Sequence, residues 1–312
     1  MNTKLLASQI SLSRLKFFFA LSRTPHGLLD MATPALGALL WLGALPPPAV
    51  IGLGLLTAFA GYTAVYALND VVDLRIDREK IKRHGDRERE YDLDAVYVRH
   101  PLAQKLLTIK EGVLWAAGWA LLALIGAYKL NPACALIFVI GTLLEALYCL
   151  LFKVSYLRTV VSGAVKTSGG IAAVFAVDPN PSFLFLFVLF LWIFFWEIGG
   201  QNVPNDLADV EEDQQLAAKT IPLCFGLQRS GAIVFGTALL SLVLNVLLFL
   251  LTPGGPSFLC LGLALLCGGY LFLAPAYRLY RTPSSLQAAA LFNKASYYPL
   301  SVLAVVIIGL LT

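Results

Sequence analysis

Apolar windows long enough to cross a bilayer recur along nearly the whole of this 312-residue chain. No other feature narrows its possible folds so far. A helix needs roughly 20 mostly apolar residues to span the hydrocarbon core. Nine windows qualify, near 27–45, 49–68, 108–128, 132–152, 157–177, 182–200, 230–251, 256–275 and 292–311. Each is expected to be helical, because lipid offers the backbone no hydrogen-bond partners. Pro/Gly punctuation separates several of them, as at Pro46-Pro47-Pro48, Asn131-Pro132 and Pro253-Gly254-Gly255-Pro256. Composition agrees: 58% of residues are hydrophobic and only 13% charged, against about 25% charged in soluble domains. That balance excludes a soluble enzyme, a disordered chain and a nucleic-acid-binding domain. The five Cys form no CxxC pair and read as small buried hydrophobes.

The basic residues orient the stack. With nine spans and a cytoplasmic N-terminus, all the Lys and Arg except Lys129 fall on or near the cytoplasmic face. This is the asymmetry of the positive-inside rule. Connections on the far face are a few residues long. On the cytoplasmic face two are long and polar, about 69–107 and 201–229. Long loops on one face of a rigid scaffold are where function usually resides.

Both long loops open with the same pattern. The first reads Asn69-Asp70-Val71-Val72-Asp73-Leu74-Arg75-Ile76-Asp77, and the second, 136 residues later, Asn205-Asp206-Leu207-Ala208-Asp209-Val210-Glu211-Glu212-Asp213. An even number of spans separates them, so both face the same side. The halves therefore read as parallel four-helix repeats with a ninth helix added. Within each motif the Asp residues are offset by three and then four, which places all three carboxylates on one face of a continued helix. Three stacked like charges repel unless cations occupy the gap. Mg²⁺ prefers oxygen ligands and commonly joins one or two carboxylates to substrate phosphates. The expected metal ligands are Asp70, Asp73, Asp77, Asp206, Asp209 and Asp213, with Asp70, Asp73, Asp206 and Asp209 at the catalytic centre. Asn69 and Asn205 either ligate the metal or orient the carboxylates. Two such clusters at the mouth of an apolar bundle form a site for a diphosphate with a greasy tail.

These residues resemble the UbiA superfamily of intramembrane prenyltransferases. The likeness covers the nine spans, the two Asp-rich loops and several smaller elements. Arg23-Thr24-Pro25 is similar to an N-terminal R-x-P element, and Arg99-His100-Pro101-Leu102 to an R-P-L segment with His100 intervening. Tyr148 through Lys153 resembles a Y-S-x-x-x-K stretch. Lys219-Thr220-Ile221-Pro222 with Phe225-Gly226 resembles the close of the second loop. The charge-dense stretch from Arg78 to Asp94 and Val154 after Lys153 depart from the family pattern. The resemblance implies an all-α, nine-helix bundle around a central cavity, one domain over residues 1–312, capped by the two loops. It implies Mg²⁺-dependent transfer of a polyprenyl group from an isoprenyl diphosphate to a lipophilic, aromatic acceptor, as in quinone biosynthesis. Arg23, Asn69, Arg99, Tyr148, Lys153, Asn205 and Lys219 are the expected substrate-binding residues. The expected location is a bacterial inner membrane. Lys166 and Glu197 also stand out as ionisable groups within spans five and six, which are functional candidates by default.

Two other readings compete. A phospholipid synthase of the CDP-alcohol type also uses Asp clusters at a membrane surface, but Val71 follows Asp70 where that motif needs Gly. A cation-coupled transporter fits less well with parallel duplication and the N-D-x-x-D spacing.

Overall fold

The structure is a computed structural model that describes residues 14–84, 93, 97–254 and 257–311. Most of the charged stretch 78–94 lies outside the described residues. Every regular element among them is helical. Eight helices are long and apolar enough to cross a membrane: Pro48–Val72, Ile109–Leu130, Pro132–Leu150, Arg158–Val177, Phe183–Ala208, Leu227–Leu251, Phe258–Arg281 and Ser285–Leu311. The chain is thus a multi-pass integral membrane protein. Each of these helices matches one of the expected windows to within a few residues at its N-terminal or C-terminal end.

The window 27–45 differs. It is covered by two consecutive helices, Thr24–Asp30 and Ala32–Leu42, joined at Met31, and neither alone is long enough to span. The second ends at Gly43, whose φ of +60° is the left-handed conformation glycine adopts without a Cβ penalty.

Helix ends follow the punctuation. Thr108 and Glu111 form a reciprocal capping box at the start of Ile109–Leu130. Asn131 caps Pro132–Leu150 by accepting from the Ala133 N–H, with proline at the first helical position. Consecutive helices pack as neighbours: Pro132–Leu150 against Arg158–Val177, and Phe183–Trp196 against Leu227–Leu251. Small residues permit close approach, as is usual between membrane helices. A Cβ on Gly37 would lie 2.8 Å from the Gly170 carbonyl oxygen. The largest apolar core joins the C-terminal helices around Trp192, Trp196, Phe272 and Tyr298. Phe183, Phe258 and Leu286 are at least 80% exposed, as lipid-facing side chains should be.

Both Asp-rich motifs adopt the same local backbone, and it is not the continuous helix expected. Each helix breaks at the middle aspartate. Asp73 (φ −82°, ψ 2°) ends Pro48–Val72 before the helix Leu74–His84 begins. Asp209 (φ −98°, ψ 10°) separates Val203–Ala208 from Val210–Gln215. The turn-to-turn hydrogen bonds persist through both breaks: Asp73 N to Asn69 O at 2.8 Å and Asp209 N to Asn205 O at 3.0 Å. The next pair is Asp77 N to Asp73 O at 3.0 Å and Asp213 N to Asp209 O at 2.9 Å. A ψ near zero kinks the axis without unwinding it, so three acidic side chains need not stack in one row.

Candidate active site

The two cap segments pack on each other. Ile76, within the first motif, packs with Leu216 and Ala218, just after the second, and with Phe152. The Arg83 guanidinium donates to the Gln215 carbonyl at 2.7 Å. Arg99 reaches across to Asp209 at 3.3 Å and Glu212 at 3.5 Å. Arg99 and His100 are held there by an apolar plug: Leu102, Ala103 and Leu107 bury against Leu21, Ala67, Leu74 and Ala116. His100 takes a φ of +52°, and Arg23, which like His100 lies beside Asp70, a φ of +43°. Such left-handed residues are uncommon outside glycine and gather at functional sites.

A cavity of about 570 Å³ lies under this cap. Asn69, Asp70, Asp73 and Asp77 of the first motif line its mouth, together with Asn205 and Asp209 of the second. Arg23, Lys80, Arg99, His100 and Arg158 line it beside them. Deeper in, the walls turn apolar, with Ala35, Leu39, Val50, Ala172, Val177 and Ile307. A polar mouth over an apolar shaft is what an amphiphilic ligand requires.

The carboxylates are arranged asymmetrically. In the first motif, Asp70, Asp77 and His100 each offer a ligand atom within 4.8 Å of the others. His100 Nδ1 lies 3.0 Å from Asp77 Oδ2 and 3.8 Å from Asp70 Oδ1. Burial alone would lower the imidazole pKa, but these two carboxylates more than offset it and lift it to about 9. Asp77 is moved the other way: burial opposes its ionisation, but the His100 charge and hydrogen bond bring its pKa below the usual carboxylate value. Asp73 lies outside that trio. Burial, and then the Asp77 charge, push it up to about 6 against the pull of Arg158 and Lys80. Asp206 and Asp213 do not line the cavity. They sit behind it, paired with cations that do: Arg158 is 3.6 Å from Asp206, and Lys80 is 3.8 Å from Asp213. Burial raises the Asp213 pKa to about 6, with Lys80 lowering it and Asp209 raising it.

Of the expected substrate-binding residues, five face the cavity. Arg23 lies 3.2 Å from Asn69 Oδ1 and 3.6 Å from Asp70 Oδ1. Asn69 is oriented from behind, its amide donating to Glu145 at 2.7 Å. Arg99, Asn205 and Tyr148 complete the five, and the Tyr148 hydroxyl accepts from Asn202 at 3.0 Å. Lys153 and Lys219 do not face it. Lys153 lies in the turn between two helices, 42% exposed, bonded to Glu79 at 3.0 Å. Lys219 is exposed, with its backbone N–H bound to the Phe152 carbonyl.

Their place is taken by cations that the motifs did not mark. Arg158, the first residue of the next helix, is 5% exposed and stacks 4.2 Å from the Tyr148 ring and 4.8 Å from Phe152. Lys80 lies 5.3 Å from the Phe152 ring. The only hint of Arg158 in the sequence is a basic residue at a helix start, an ordinary sight at a membrane surface.

This donor set suits a hard divalent cation. It is rich in carboxylate oxygens, and Asp70, Asp77 and His100 bring their ligand atoms together at the mouth. Four carboxylates, Asp70, Asp73, Asp77 and Asp209, and five basic groups meet at the mouth, the mixture that a site for metal and phosphate together needs.

Known proteins give the same picture. Two bacterial proteins named 4-hydroxybenzoate octaprenyltransferase are similar in sequence. The one from Nitrosomonas eutropha is 28% identical over 204 residues, 65% of each chain, so the match spans just under two thirds of that relative. The one from Cupriavidus pinatubonensis is 26% identical over 271 residues, 86% of this chain and 87% of that one. In three dimensions the chain resembles the apo structure of a UbiA homologue from Aeropyrum pernix (TM-score 0.71, 17% identity, covering 91% of this chain and 98% of that one). It also resembles a UbiA homologue from Archaeoglobus fulgidus bound to DMAPP and Mg²⁺ (TM-score 0.66, 15% identity, covering 93% and 99%). The UbiA prenyltransferase family model matches residues 31–298, the stretch that holds both Asp-rich motifs and nearly all of the cavity wall, and by that match this chain belongs to the UbiA prenyltransferase family.

Proposed function

We propose that this enzyme transfers a polyprenyl group from an isoprenyl diphosphate to a lipophilic aromatic acceptor in a Mg²⁺-dependent reaction. On this reading the acceptor is of the 4-hydroxybenzoate type, used in making quinones or related lipids. The observation that carries it is the cavity: two Asp-rich motifs and five basic side chains ring one mouth, and an apolar shaft continues below. The names of the two bacterial relatives support the acceptor class.

The chain's residues divide the work. Asp70, Asp73, Asp77 and Asp209 would hold the metal at the mouth, with Asp206 and Asp213 behind them. When bound, divalent ions neutralise a diphosphate and make it a better leaving group. Arg23, Arg99, Arg158 and Lys80 hold the diphosphate oxygens, and charge-assisted hydrogen bonds of this kind are the strong ones. The allylic C–O bond breaks with its electron pair leaving on the diphosphate. The acceptor's nucleophilic carbon forms the new bond and gives up its proton to the released diphosphate. Apolar walls exclude water from the allylic cation, and the Tyr66, Tyr148 and Phe152 rings at the cavity offer electron-rich faces.

The finer architecture belongs to the same proposal. Thr24–Asp30 and Ala32–Leu42 together make a ninth crossing, kinked at Met31. Residues 1–312 act as one domain, its halves parallel repeats, with the N-terminus and both caps on the cytoplasmic side of a bacterial inner membrane. Purified protein with labelled geranyl diphosphate should release pyrophosphate only with Mg²⁺ and an acceptor such as 4-hydroxybenzoate. Asp73→Asn and Asp209→Asn should abolish that release without lowering the melting temperature. Unchanged turnover in both variants would remove the proposed site.

A further inference from the structure

Below the Asp-rich mouth, the same cavity holds a second polar cluster that diphosphate binding leaves unused. The Lys166 ammonium donates to Asp30 Oδ2 at 2.6 Å and lies 3.7 Å from Glu197 Oε2. The Tyr66 hydroxyl also donates to Asp30, and Ser162 donates to Glu197 Oε1 at 2.7 Å. Glu197 is 5% exposed and lines the cavity, yet its Oε2 receives no hydrogen bond among the described residues. Two carboxylates share one ammonium here, with the His26 imidazole 3.7 Å from Asp30 Oδ1, and Glu197 Oε2 is left with capacity to accept. Deep in a membrane bundle such an unmet acceptor is costly unless a ligand completes it. Glu197 also opens a π-helical turn, Glu197–Asn202, whose six residues are all buried. Such turns are rare and occur often at functional sites.

The depth is suitable. Counted along the helices at about 1.5 Å per residue, Tyr66 lies about 6 Å below Asp70. Lys166 lies about 12 Å below Arg158, and Glu197 about 13 Å below Asp206. A diphosphate held at the mouth would place its allylic carbon between the two levels. One aromatic ring then bridges that carbon and the cluster.

We propose that the Asp30–Lys166–Glu197 cluster is the acceptor subsite, and that an O–H or N–H of the aromatic acceptor donates to Glu197 Oε2. The oxygen left without a hydrogen bond among the described residues is Glu197 Oε2, so the feature recognised at this depth is a hydrogen-bond donor. This rests on the prenyltransferase reading above and adds the chemical group by which the acceptor is chosen.

The test compares hydroxy acceptors with their methyl ethers. Purified protein with Mg²⁺ and geranyl diphosphate is titrated with 4-hydroxybenzoate and 4-methoxybenzoate, then with 1,4-dihydroxynaphthalene and its dimethyl ether, by equilibrium dialysis. The wild type should bind at least one hydroxy probe about tenfold or more tightly than its ether, the worth of one hydrogen bond to a charged group. Glu197→Gln and Glu197→Leu should each shrink that ratio to within about twofold, while geranyl diphosphate binding in the same samples stays unchanged. Retention of the ratio in both variants, its absence in the wild type, or failure of every hydroxy probe to bind would overturn the inference. Mg²⁺-dependent geranyl diphosphate binding is read separately, so its absence from the wild type would instead sink the underlying donor site.

Discussion

Two basic residues five positions apart make opposite predictions. Arg158→Met removes a buried guanidinium that lines the cavity, stacks on Tyr148 and Phe152 and lies 3.6 Å from Asp206. Lys153→Met removes an ammonium that is 42% exposed and pairs with a Glu79 that is itself 34% exposed. A hydrogen bond to a charged group contributes about 1.5–3 kcal/mol where solvent is excluded, and about 1.4 kcal/mol is a factor of ten. Arg158→Met should therefore weaken Mg²⁺-dependent geranyl diphosphate binding by about ten- to 150-fold. An exposed, solvent-screened pair contributes little, so Lys153→Met should stay within about fivefold of wild type. Arg158→Lys keeps the charge but loses the planar fork and its stacking, and should fall between the two. The assay is direct binding of labelled donor, with melting temperature as the control for folding. A loss in Lys153→Met as large as that in Arg158→Met would refute the assignment of the gripping cation.

Three further outcomes are expected. Asp73, Asp213 and His100 all have raised pKa values, so the folded state without Mg²⁺ binds protons more tightly than the unfolded chain. Its stability should fall as pH rises from about 4 to 6 for the two carboxylates and from about 6.5 to 9 for His100. Added Mg²⁺ should raise the melting temperature at pH 7.5 and lose that effect near pH 5; a metal-free protein that becomes more stable between pH 5 and 9 would contradict this. Gly37→Val forces a Cβ to within 2.8 Å of the Gly170 carbonyl oxygen, whereas Gly52→Val meets open space. The first should cost about 1–3 kcal/mol by overpacking and the second little, as thermal unfolding in detergent will report. Leu102→Ala loosens the plug beneath Arg99 and should raise the KM for the donor more than it lowers kcat; an unchanged KM would mean Arg99 does not depend on that packing.

Much of this protein is legible along the chain. The lengths of the apolar windows and the solvent they demand fix the helices, because a bilayer leaves the backbone no alternative. The two N-D-x-x-D-x-x-x-D motifs are local as well, and their equal spacing reappears as equal backbone, down to the break at Asp73 and Asp209. The sequence could not show that, on the same broken backbone, Asp70 and Asp77 converge on His100 while Asp206 and Asp213 retreat behind Arg158 and Lys80. Nor could it tell which cations point inward. Lys153 and Arg158 are both basic and both at span ends, and only the course of the turn that carries Lys153, and the packing of the helix that Arg158 opens, send one to water and the other into the cavity. Asp30 and Lys166 stand 136 residues apart and carry no motif. Their bond exists because two helices happen to present those faces to each other, and periodicity along one helix holds no information about the face of another.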